Sequence, residues 1–441
     1  MDLRDFIVTP FIIIGVYAAA YFLRPRLCDE VNYGYFFPAL TVKIIGALAV
    51  GFIYQFYYSS GDTFSYHTHG SRIIWEVLVD DPSSGLSLLF SNDSHDLYKY
   101  SSQIIFFNDP SSFFVVQLAT LFDLITFSSY SGTAVLFAFV SFLGLWYLFR
   151  AFYEMFPHLY KRIAVCALFI PSVVFWGSGI LKDTIVMACL GFATWLIKRI
   201  FIDRNRSVSA VFFLLISLMV IYTVKKYVLL CYLPVTLLWV YARSMQQIRQ
   251  AMLRVMLVPI FLVVTIVSGY YAVQKVGEDD PKYALDKIAQ TARITAYDIG
   301  FWSGRNAGSG YSLGELDGSF GNLVAHMPQA INVSLFRPYL WEVKNPLMVL
   351  SALEAFALLV ITVFLFLRSP LGFLRSLGNP NVLFCLVFSV SFAFAVGVST
   401  YNFGTLNRYR IPLIPFYLIA LTIIADRSNN ERKLDVLDAT E

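Results

Sequence analysis

The chain has 441 residues, 58% of them hydrophobic and 14% charged, with a mean hydropathy of +0.65. A soluble domain carries about a quarter charged residues, so this chain has too little polar surface to cover a soluble core. The net charge of +4 is small and its Lys and Arg sit in short loops, where they report membrane topology and not nucleic-acid binding.

Apolar runs follow one another along the chain at 7–23, 39–57, 131–153, 163–180, 184–200, 208–224, 227–243, 254–273, 346–367, 380–398 and 411–425. Runs of this length with few charges predict transmembrane helices. The expected fold is therefore an all-α polytopic integral membrane protein of about eleven spans, organised as one membrane domain. Segments of about ten residues with alternating hydrophobicity, the mark of a membrane β-barrel, are not seen. The opening MDLRDF leads into 7–23 without a small-residue cleavage site, which predicts a retained helix. Of the five cysteines, Cys166, Cys189, Cys231 and Cys385 lie in apolar runs and Cys28 does not. No pair has metal-ligand spacing, so they read as small core residues.

Segment 111–128 is apolar but carries Gln117 and Asp123. It is either a twelfth span or an amphipathic helix at the interface. The basic residues Arg24, Arg26, Lys161, Arg162, Lys198, Arg199, Arg243, Arg368, Arg375 and Arg427 fall on one side if the N-terminus is outside and 111–128 lies flat. Two longer external segments then result, 58–130 and 274–345, with interfacial helices. If 111–128 spans, the N-terminus moves inside and 58–110 becomes cytoplasmic.

The chemistry collects at that external face. In GDTFSYH, a helix over 62–69 would put Asp62, Tyr66 and His69 on one face. A carboxylate there could act as general base, hold a divalent metal, or simply cap the helix. His67 and His69 could bind a metal, but no third ligand is spaced nearby. Lys182 and Asp183 follow a Gly-Ser-Gly stretch at the mouth of two spans, as a solvated tip or as a site for an anionic headgroup. Lys225, Lys226, Arg408 and Arg410 stand outside against the positive-inside tendency, which hints at a bound anion. Arg337 either pairs with Glu342 or grips a phosphate through its guanidinium fork.

The pattern resembles the C superfamily of membrane glycosyltransferases, which use polyprenyl-phosphate-linked sugars. Asp62 followed by Tyr66 is similar to that family's acidic residue in the first external loop. PSVVFWGSGILKD, residues 171–183, and RYRIPLIPF, residues 408–416, look like its later segments. The chain differs in placing Gly61 and Thr63 around Asp62 and in carrying the extra run 7–23. The resemblance implies Asp62 as base or metal holder, with Lys182 and Arg408 or Arg410 stabilising the phosphate leaving group. It also implies a lipid-linked glycan or protein acceptor, a place in the bacterial inner membrane, and no certain cofactor, a divalent metal being an option if Asp62 holds one. Two other readings compete: a polymerase or ligase of lipid-linked oligosaccharides, and a transporter or flippase of an anionic lipid or solute. Transport would favour charges and broken helices at mid-membrane.

Overall fold

The computed structural model describes residues 2–90, 95–246, 287–302 and 309–438, with scattered positions between 267 and 284. Among the described residues regular structure is helical throughout, and an isolated bridge pairs Gly310 with Asn402. Seven helices are long and apolar enough to cross a membrane, or eight if one sharply bent pair counts as a span.

The fold is an all-helical multi-span membrane architecture, but among the described residues eleven separate spans are not seen. The run 254–273 lies almost wholly outside the described residues. The run 208–224 forms a helix of 17 residues. The run 163–180 is not one helix. Tyr160–Leu168 ends, Ile170 turns extended, and Pro171 starts the six-residue helix Pro171–Trp176. Proline has no N–H to continue a helix and pushes the residue before it out of the helical region. The last run is also broken: Phe403–Tyr409 and Leu413–Ser428 meet at 65°, with Pro412 between them.

The helices sort into two compact units, Met1–Ile197 with Ser207–Lys225, and Lys198–Arg206 with Lys226–Glu441. In the first unit the principal helices are α1 (Leu3–Leu27), α2 (Phe36–Phe56), α3 (Asp62–Tyr66), α4 (Arg72–Asp80) and α5 (Pro110–Thr126). They are followed by α6 (Tyr130–Tyr153), α7 (Tyr160–Leu168), α8 (Pro171–Trp176), α9 (Lys182–Ile197) and α10 (Val208–Val224). The centre is α6, which packs against α1, α2, α7 and α9. It is apolar all round and mostly buried, as a helix with neighbours on every side should be. Its crossing with α9 is made by small residues. A Cβ on Gly144 would strike the Ala188 backbone, and one on Gly191 would strike the Gly144 carbonyl. Such close backbone approach is how helices associate in lipid, where burial of apolar surface supplies little drive.

The second unit contains α11 (Lys226–Gln246), α12 (Ile288–Trp302), α13 (Met327–Phe336), α14 (Pro346–Arg368), α15 (Pro380–Thr400), α16 (Phe403–Tyr409) and α17 (Leu413–Asp438). Here α15 is the centre, packing against α11, α12, α13 and α17. Gly397 brings α15 against the Ala330 backbone of α13, with no space for a Cβ. All five cysteines are free thiols, buried or half-buried.

Candidate functional site

A cavity of about 420 Å³ lies in the first unit where α1 begins, α2 has ended and α6 begins. Asp2 and Asp5, Ser59 to Gly61, and Tyr130 all line it. Ser59 and Tyr130, on either side of α3 to α5 in the chain, therefore stand at the same end of the unit.

The chain builds this cavity with an irregular turn. Gly61 takes φ +144°, a conformation side chains rarely adopt, and packs so closely on the Tyr54 ring that a Cβ would enter it. Helix α3 then runs only to Tyr66 before a π-helical turn, His67–Ser71, in which His69 leaves helical geometry at φ −104°, ψ 26°. π-turns carry an extra residue per turn and recur at functional sites.

Asp62 and Tyr66 stay together on the regular helix α3, and the turn lies between them and His69. Tyr66 is buried and packs on Phe106 with ring centroids 4.8 Å apart. His69 is exposed and lines the cavity. Asp62 is half-buried and is not among the lining residues. The spacing of four from Asp62 to Tyr66 keeps 3.6 residues per turn within α3, but the step to His69 enters the π-turn, where that period no longer holds. His67 is fully buried while His69 is exposed, so the His-x-His pair does not converge. Among the described residues no group of three or more His, Cys, Asp or Glu is gathered to hold a metal.

Several polar groups of the cavity are held by hydrogen bonds within the protein. Asp5 accepts from the Ser129 hydroxyl at 2.8 Å, the Ser131 amide at 2.9 Å and the Asp2 amide at 2.7 Å. It thus serves the free N–H groups at the start of α6. Arg72 donates to Asp2 at 2.9 Å and to the Ser128 hydroxyl and carbonyl, both at 3.3 Å. Hydrogen bonding from Arg72 holds the Asp2 carboxyl below its ordinary range. Phe64 stacks on Tyr130 at 4.6 Å, and the Tyr130 hydroxyl meets the Thr63 hydroxyl at 2.7 Å. Ser60, Ser65, Thr68 and His69 complete a wall rich in hydroxyls, with His69 as its candidate proton acceptor.

The cations expected to hold phosphate have protein partners. Lys182 donates to the Ser111 hydroxyl at 2.7 Å and to Asp109 at 3.3 Å, tying the start of α9 to the start of α5. Burial disfavours the charged Asp109 carboxyl. The Ser112 and Ser111 hydroxyls and the Lys182 ammonium outweigh it and hold the group at about 2. Lys225 forms a buried ion pair with Asp183. Lys226 is half-buried at the start of α11 in the second unit. Arg337 grips Glu342 with two nitrogens, its Nε at 3.0 Å, so the intrachain pair weighed against phosphate is the one formed. Arg408 is buried beside the Tyr409 ring.

Arg410 is fully buried and donates to the carbonyls of Arg337 at 2.9 Å, Ser334 at 3.3 Å and Ser351 at 3.4 Å. The helical partner of the Ser334 carbonyl would be the amide of residue 338, but that residue is proline and has none. Arg410 fills the vacancy, placing a cation at the C-terminus of α13 where the helix dipole favours it.

Two further features escaped the sequence reading. Lys43, fully buried in α2, donates to the carbonyls of Gly177 at 2.5 Å and Val173 at 3.1 Å. The Ser141 hydroxyl also donates to Gly177, at 2.6 Å. The half-helix α8 therefore ends against interior turns of α2 and α6 and is capped there by an ammonium. The second feature is Asp123, buried with His67, Ser71 and Thr133 behind the cavity. A carboxylate in an apolar run was its signal in the sequence; its partners are 52 and 10 residues away.

Comparison with family models, curated proteins and solved structures finds no match.

Proposed function

We propose that the chain is a membrane glycosyltransferase that moves a sugar from a polyprenyl-phosphate-linked donor to an acceptor at the outer membrane face. The observation that carries this reading is the position of the cavity. A polar, hydroxyl-lined space opens at one end of a lipid-facing helix bundle, beside the exposed rings of Phe52, Phe56, Tyr57 and Tyr58. Aromatic clusters of this kind mark the membrane–water interface. A donor could leave its polyprenyl tail in the bilayer and extend its sugar into the cavity. The loose resemblance to the C superfamily points the same way.

In the reaction the acceptor oxygen bonds to the anomeric carbon as the bond from that carbon to the phosphate oxygen breaks. The phosphate keeps the electron pair. His69, the imidazole on the cavity wall, takes the acceptor proton as general base. Arg72 lines the same cavity paired with Asp2, and the leaving phosphate draws its guanidinium from that carboxylate as charge grows. Lys182, Lys225, Arg337 and Arg410 then serve mainly as internal staples, and Asp62 serves at the start of α3.

The test is transfer of labelled sugar from a polyprenyl-phosphate fraction by purified protein in liposomes. His69→Ala should slow transfer by a factor on the order of a hundred or more, while Asp62→Asn keeps most of it. The reverse pattern would return the role of base to Asp62.

A transporter or flippase is the second reading, and a specific observation favours it. The half-helix α8 ends inside the bundle against Lys43, and broken helices with interior charges are typical of transport sites. Uptake into protein-containing liposomes without bond breakage would support it over transfer.

A further inference from the structure

We infer that Asp123, together with His67, is the positioning residue of the cavity, fixing from behind its wall where His69 and Arg72 stand. Asp123 is fully buried near the end of α5 and does not line the cavity. Its two carboxylate oxygens are shared among three partners. Oδ2 accepts from the Ser71 hydroxyl at 2.6 Å, and Oδ1 accepts from the Thr133 hydroxyl at 2.5 Å. Oδ1 also lies 3.4 Å from His67 Nε2. Thr133 is held in turn by Thr126 at 2.7 Å. A buried carboxylate is costly unless paired and hydrogen-bonded, and this one accepts from Ser71 at the end of the π-turn and from Thr133 of α6.

Two other contacts hold the residues between those ends. Gly70 packs so tightly between the Ser65 carbonyl and Val116 of α5 that a Cβ would be crowded at 3.0 Å on both sides. The His69 carbonyl accepts from the Ile105 amide at 3.2 Å. His67 also sets its ring edge against Tyr130, with centroids 5.5 Å apart, so the same group braces a second part of the wall. The turn departs from α-helical geometry at His69, and α-helical hydrogen bonding alone would not keep it there. Asp123, on α5, accepts from Ser71 at one end of the turn and lies 3.4 Å from His67 at the other. Arg72 follows Ser71 directly, so its direction toward Asp2 and Ser128 is fixed by the same anchor.

The functional weight of this inference rests on the cavity being the reaction site, but its geometric content can be tested without that reaction. In full-length protein with the native cysteines replaced, a cysteine at Ser65 reports the cavity wall. A second cysteine at Val79, 60% exposed on α4, serves as the reference. The readout is the rate of alkylation by a small water-soluble maleimide. Asp123→Ala should change the rate at position 65 by about fivefold or more, and Ser71→Ala by about two- to threefold, the range expected for lost hydrogen bonds. Position 79 should stay at its original rate. Asp123→Asn keeps an acceptor and should stand nearer the original protein.

Rates unchanged at position 65 in both variants would overturn the inference. So would equal changes at 65 and 79, which describe general loosening. Should Asp123→Ala fail to fold, the milder Ser71→Ala decides by the same criterion. In the transfer assay, Asp123→Asn should lower kcat with KM little changed. An inactive unmodified protein would refute the transferase reading and leave the labelling result standing.

Discussion

Replacing Arg410 separates a structural cation from a phosphate ligand. Its guanidinium makes good bonds to the carbonyls of Arg337 and Ser334 and a longer one to Ser351, all away from solvent. Hydrogen bonds from a charged donor contribute about 1.5–3 kcal/mol each, so losing the two better ones in Arg410→Ala should cost about 3–6 kcal/mol. Arg410→Lys keeps the charge but not the fork. The shorter side chain carries its ammonium to a different point from the guanidinium nitrogens, so about half of that loss should remain. The assay is equilibrium unfolding of the purified protein in mild detergent, followed by tryptophan fluorescence. Stability close to the original in both variants, combined with lost binding of polyprenyl phosphate, would refute the reasoning and make Arg410 a ligand residue.

Three more outcomes follow from the same packing. Lys225→Met should cost about 3–5 kcal/mol by stranding a buried carboxylate, whereas the double variant with Asp183→Leu should recover part of that loss in an unfolding cycle; strictly additive costs would argue against coupling. The Asp109 carboxyl lies at about 2 against an ordinary 3.8, so its stabilisation is fully present above about pH 4 and is lost as pH falls toward 2. The Tm difference between the original protein and Asp109→Asn should therefore be constant at neutral pH and shrink in acid. Gly191→Ala drives a methyl into the Gly144 carbonyl and should destabilise the α6–α9 crossing by about 1–3 kcal/mol; unchanged thermal stability would show that the helices can separate without loss.

The membrane class was readable because it depends on composition and on runs of apolar residues, both local properties. The breaks were half-readable. Pro171 and Pro412 stand in the sequence, but whether a proline kinks a span or ends it depends on contacts from helices distant in sequence, such as Lys43 at the end of α8 and Arg410 at the end of α13. The cavity was legible in the stretch 57–72 and illegible in its other wall, because Asp2, Asp5 and Tyr130 arrive from helices distant in sequence. Asp62, Tyr66 and His69 were grouped by a helical period that the π-turn interrupts. Several cations that the sequence sets at the ends of spans have partners inside the fold. Those partners include Asp109, Asp183 and the end of α13, which spacing alone cannot identify.

The most direct measurement of the central claim is protection of the cavity by the proposed donor. A cysteine at Ser60, on the cavity wall, is labelled in sealed liposomes with and without a polyprenyl-phosphate-sugar fraction. The account predicts that the donor slows labelling by about tenfold, the factor expected when about nine-tenths of sites are occupied, and that ordinary phospholipid does not. Labelling at the same rate with saturating donor would contradict it, because the cavity would then not be where a lipid-linked sugar binds.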